Sequence, residues 1–111
     1  MRYSITGDNM QMLNVEIGPD ELLYSVAGAM TYMTGNVTLE AKAKQGAWAS
    51  IKRSISGASL FLVQYRSAGN GVVGLAQAAP GKIMDIDVSK GAWLVQKSGF
   101  LASDEHVEME L

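Results

Sequence analysis

Apolar and polar residues alternate along much of this chain. Val15 and Ile17 alternate with Asn14, Glu16 and Gly18, and Val37, Leu39 and Ala41 alternate with Thr38, Glu40 and Lys42. Met84, Ile86 and Val88 flank Asp85 and Asp87, and Val107, Met109 and Leu111 flank Glu108 and Glu110. A period of two predicts strands with one dry and one wet face, because successive side chains point to opposite sides. Leu60-Phe61-Leu62-Val63 and Trp93-Leu94-Val95 are apolar at every position and predict strands buried between layers. Turn residues punctuate the pattern at Gly18-Pro19-Asp20, Thr34-Gly35-Asn36, Gly69-Asn70-Gly71, Ala79-Pro80-Gly81 and Ser89-Lys90-Gly91. Many short strands at this spacing predict an all-β fold, a β-sandwich or barrel.

One segment departs from period two. Trp48, Ile51 and Ile55 fall at helical spacing, Lys52 and Arg53 lie alongside, and Gly57 follows as a stop. This predicts one short helix near 47–56, stable only through packing. Its first reading is a cap on the open end of the sandwich. Its second is a candidate partner or membrane surface formed by Trp48, Ile51, Lys52, Arg53 and Ile55.

The chain also repeats itself. Val15, Ile17, Gly28 and Met30 recur as Ile86, Val88, Gly99 and Leu101 at an offset of 71, and Val37 and Leu39 recur as Val107 and Met109 at an offset of 70. The second copy reaches Leu111 inside its last expected strand. Residues 1–111 are therefore expected to be a single β domain, the N-terminal part of a longer two-repeat unit. Val107, Met109 and Leu111 are the candidate oligomer edge, since an open strand edge can pair with another copy.

Composition narrows the class. The chain has 111 residues, enough for one unstapled core. Hydrophobic residues make up 48% and charged residues 18%, which argues against disorder and for surface covered by another copy or domain. The net charge of -2 gives no general pull toward nucleic acid. Without cysteine there is no disulfide, thiolate metal site or cysteine nucleophile, which fits a reducing, cytosolic compartment. The N-terminal residues do not read as a signal peptide, and no stretch approaches the roughly 20 apolar residues of a membrane span.

Candidate chemistry is sparse. Gly69-Asn70-Gly71-Val72-Val73-Gly74 spells the dinucleotide pattern, but Pro80 leaves no room for the helix that pattern needs, and Asn-Gly reads instead as a hairpin turn. Asp85 and Asp87 could hold a hard cation only with a third oxygen-rich segment beside them; otherwise they are the wet face of a strand. His106, the one histidine, sits in Ser103-Asp104-Glu105-His106 and reads as an exposed turn residue. Met10, Met12, Met30 and Met33 read as core filler rather than copper ligands, with Met30 and Met33 expected on opposite faces of one strand. Asn36-Val37-Thr38 is a glycosylation sequon that stays idle without secretion. No catalytic, cofactor-binding or metal residue is assigned, no cofactor is expected, and the chain is expected not to be an enzyme.

Several motifs carry a family resemblance. They are Ala27-Gly28-Ala29-Met30-Thr31-Tyr32-Met33-Thr34-Gly35-Asn36-Val37, Gly57-Ala58-Ser59-Leu60-Phe61-Leu62, Pro80-Gly81-Lys82-Ile83 and Trp93-Leu94-Val95-Gln96-Lys97-Ser98-Gly99-Phe100-Leu101-Ala102-Ser103. In this order they resemble the altered-inheritance-of-mitochondria (mitochondrial biogenesis) family. The resemblance implies a β-sandwich related to a short double-stranded β-helix, grouped with the fold of the ring-forming tryptophan-dependent RNA-binding attenuation protein. It also implies an association of eukaryotic members with mitochondrial inner-membrane organisation. It supplies no catalytic motif, and members usually run to about twice this length.

The function expected from all this is a non-enzymatic homo-oligomeric scaffold or interaction module. A small-ligand-binding β module and a peripheral membrane protein using the 47–56 helix are the alternatives. RNA is disfavoured, because the chain lacks a basic stripe with interleaved aromatics.

Overall fold

Val15, Ile17 and Val37, read as inward-facing from the alternation, lie in the core between two stacked sheets. A computed structural model describes residues 1–40 and 62–108. Eight strands run in chain order: β1 (Arg2–Thr6), β2 (Met12–Ile17), β3 (Leu22–Val26), β4 (Met30–Met33), β5 (Val37–Glu40), β6 (Leu62–Ser67), β7 (Gly71–Leu75) and β8 (Ala102–Asp104). One sheet has the order β1-β2-β7-β4 and the other β5-β6-β3-β8, and every strand pairing is antiparallel. The chain changes sheet from β2 to β3, β3 to β4, β4 to β5, β6 to β7 and β7 to β8. That arrangement is an all-β sandwich of two antiparallel sheets.

Val15 and Ile17 of β2 face inward opposite Val73 and Gly71 of β7, and they meet Leu23, Val37, Val63 and Tyr65 from the other sheet. Ile17, Leu23, Tyr65, Val73 and Leu75 are all but fully buried. Each such aliphatic side chain contributes about 1.5–3 kcal/mol. The turns fall where the sequence placed them. Glu21 N–H donates to the Gly18 carbonyl (3.2 Å) across Pro19-Asp20, and Val37 N–H donates to the Thr34 carbonyl (3.0 Å) across Gly35-Asn36.

Four expectations are corrected. Asn70 does not make a hairpin: β6 and β7 lie in different sheets, and no non-glycine residue among those described has positive φ, as a type I′ turn requires. At this crossover Gly71 is needed for space, because a Cβ there would stand 2.6 Å from Val37 Cγ2 and 2.8 Å from Ser67 Oγ. Met30 and Met33 do not face opposite sides; an irregularity between Met30 and Tyr32 resets the alternation, so both pack against the core. Met84–Val88 and Trp93–Val95 form no strand. The three residues expected between layers are instead at the surface. The expected helix at 47–56 lies outside the described residues.

Candidate functional site

The chain leaves the second half of the sandwich along an irregular path. Gly81 is bridged to the turn between β1 and β2, accepting from Gln11 N–H (3.2 Å) and donating to the Asn9 carbonyl (2.8 Å). Ile83 N–H donates to Gln11 Oε1 (2.6 Å). The Tyr3 hydroxyl donates to Asp85, a bond that holds the phenol's pKa above its ordinary value. Asp87 accepts from Ser89 N–H (2.9 Å), which keeps its carboxyl below the usual range. The two aspartates thus serve separate local bonds, and among the described residues no three His, Cys, Asp or Glu side chains gather as a metal site.

Beyond the Ser89–Lys90 turn the path carries the longest exposed apolar run among the described residues. Trp93 is 58% exposed, Leu94 fully exposed and Val95 46% exposed. Met84 and Val88 upstream are exposed as well. Among the described residues Leu94 has no cover and the other side chains are covered only in part. A 3-10 turn at Lys97–Gly99 then leads into β8, which pairs with β3 in the register Leu23↔Asp104, Tyr24↔Ser103 and Ser25↔Ala102.

A second feature crosses the outer face of the β5-β6-β3-β8 sheet. Glu40, Gln64, Tyr24 and Ser103 stand in register, one on each strand. Gln64 and Tyr24 are buried, and the Tyr24 hydroxyl donates to Gln64 Oε1 (2.9 Å). Gln64 Nε2 and Ser103 Oγ are buried without a hydrogen-bond partner among the described residues. The core face of the same sheet holds another polar pair, Ser25 Oγ and Tyr65 Oη at 2.9 Å. Burial there pushes the Tyr65 phenol's pKa up, opposed by its bond to Ser25.

The sequence-derived candidates are placed unevenly. Trp48, Ile51, Lys52, Arg53 and Ile55 lie outside the described residues, as do Met109 and Leu111. Val107 follows the Glu105–His106 turn and joins no sheet. His106 is exposed, its N–H donating to Asp104 Oδ1 (2.9 Å). The sequence reading passed over Gln64, whose one signal was a polar residue inside the apolar run of β6. No helix among the described residues is long and apolar enough to cross a membrane.

Known proteins resemble this chain in sequence and in fold. The model of the family described as Mitochondrial biogenesis AIM24 matches residues 3–111. An uncharacterized protein of Streptococcus pyogenes serotype M6 is 32% identical over 120 residues, a match spanning 100% of this chain and 48% of that protein. The crystal structure of protein SPYM3_0169 from Streptococcus pyogenes superposes with a TM-score of 0.68 at 30% identity, covering 94% of this chain and 50% of the other. The chain spans about half the length of each of these relatives.

Proposed function

This chain belongs to the mitochondrial biogenesis AIM24 family, and we propose that it is a non-enzymatic interaction module that works as an assembly of copies of itself. The observation that carries this is the exposed run Trp93-Leu94-Val95. Scattered exposed apolar residues are ordinary, but three in succession on an irregular segment read as a surface to be covered. Full coverage of a side chain such as Leu94 is worth about 1.5–3 kcal/mol, a strong incentive for association. Hydrogen-bonding edges add to it: β1, β4, β5 and β8 are the terminal strands of their sheets among the described residues.

Light scattering over a wide concentration range tests the proposal. The expected mass is a multiple of 11.9 kDa, and Leu94→Asp is expected to return the chain to monomer. Leu94 touches too little of its own molecule for that change to unfold it, and far-UV circular dichroism checks the point. A wild-type chain that stays monomeric throughout would sink the proposal. An oligomer indifferent to Leu94→Asp would remove the segment from the interface.

A further inference from the structure

The internal repeat, placed on the strands, says where the exposed segment goes. Shifting β4 (Met30–Met33) by the repeat offset of 71 lands on Leu101 to Asp104, and Ala102–Asp104 is β8. At the matched pair Met30 and Leu101 the equivalence holds in packing too, since both lie partly buried against one core cluster. Shifting β3 (Leu22–Val26) by the same offset lands on Trp93 to Lys97, the exposed segment. In this structure the β4 equivalent, β8, is seated on the edge of β3. The reciprocal pairing, the β3 equivalent on the edge of β4, is unfilled, since β4 is the terminal strand of its sheet among the described residues.

We infer that Trp93 to Lys97 of one copy adds as an antiparallel strand to the edge of β4 in a second copy. This rests on the assembly proposed above and deepens it to a register. Carrying the observed β3–β8 register across the repeat gives Leu94 opposite Met33, Val95 opposite Tyr32 and Gln96 opposite Thr31. The side chains match in kind, apolar against apolar twice and polar against polar once. The backbone bond from Val26 N–H to the Leu101 carbonyl (3.0 Å) has its counterpart in Lys97 N–H and the Met30 carbonyl.

A second copy fits better than the same molecule. Residues 81–85 are fixed to β1 and β2, at the opposite edge of the sheet from β4. At its other end the segment runs through Lys97–Gly99 straight into β8, beside β3 in the other sheet. Both tethers hold it away from its own β4. Reciprocal exchange between two copies closes both edges at once.

Engineered cysteines test the register, helped by the absence of any native cysteine. Leu94→Cys and Met33→Cys variants are mixed in equal amounts, oxidised mildly and resolved on a non-reducing gel, with the linked peptides identified by mass spectrometry. A covalent dimer joining position 94 to position 33 is expected from the mixture. No 92–33 link is expected when Ala92→Cys replaces Leu94→Cys, because directly opposed positions on neighbouring strands meet disulfide geometry and displaced ones do not. A wild-type oligomer that gives no 94–33 link overturns this register and leaves the assembly standing. A monomeric wild type overturns the assembly and the register together. A double variant that links within one chain in dilute solution overturns the second copy as occupant.

Discussion

At Tyr24 and Gln64, two polar side chains lie where a sheet of this composition would be expected to hold apolar ones. Their mutual bond satisfies the glutamine oxygen and leaves Nε2 without a partner among the described residues. Removing one member of a buried pair costs more than removing both, because the survivor keeps its desolvation penalty. Tyr24→Phe is therefore expected to lower stability by about 1–3 kcal/mol. Adding Gln64→Leu should recover most of that loss, measured as urea midpoints at constant m-value. Equal and additive losses would show that the pair does not act as a unit. Ser25 and Tyr65 give a complementary case on the core face. Ser25 also bonds to the Val26 carbonyl (3.1 Å), so it keeps a partner when Tyr65 becomes Phe, whereas Ser25→Ala strands a buried phenol. Ser25→Ala should be the more damaging change of the two with respect to hydrogen bonding. Burial raises the Tyr65 pKa in the folded state above the value near 10 that it has when unfolded. The unfolded chain then ionises first, so stability from this group is complete below about pH 10 and is lost as pH rises above it. Tyr65→Phe should flatten the alkaline limb of a stability-versus-pH curve.

The elements show which parts of the chain speak for themselves. β2, with Leu13, Val15 and Ile17 inward and Asn14 and Glu16 outward, follows its alternation because one face is core and one is not. β6 was legible as apolar, yet its buried Gln64 was not, since alternation cannot show what lies on a sheet's second face. The β4 irregularity was invisible for a related reason: one extra residue flips every later side chain, and nothing in Met30-Thr31-Tyr32-Met33 announces it. Its consequence is testable. Tyr32 is turned outward opposite Gly74, and a Cβ built on Gly74 would stand 2.0 Å from the Tyr32 ring. The ring lies across the glycine and its hydroxyl donates to Asn14 Oδ1, tying β4 to β2 over β7. Gly74→Ala should displace the ring and cost about 1–3 kcal/mol, the range for overpacking a close contact. In a Tyr32→Ala background the same substitution should be nearly neutral. An unchanged penalty in that background would place the strain in the backbone of β7 instead.

For the molecule as a whole, alternation named part of the core, and the unbroken apolar run misplaced Trp93, Leu94 and Val95 for one physical reason. Apolar character says that a strand wants cover, not which molecule supplies it. Within the described residues Trp93 and Val95 are covered only in part and Leu94 not at all, so any cover gained by association adds to the stability of the folded chain by mass action. The melting temperature should then rise with protein concentration. Leu94→Asp should abolish that dependence while leaving the dilute-limit melting temperature close to wild type, since the side chain is fully exposed in the single copy. Trp93 provides an independent readout in a Trp48→Phe background, where it is the remaining tryptophan. Its emission should shift to the blue over the same concentration range in which the melting temperature climbs, because the indole leaves water as the segment is covered. A melting temperature that climbs while Trp93 emission stays red would mean that the copies meet through another surface, such as the edges of β1 or β5.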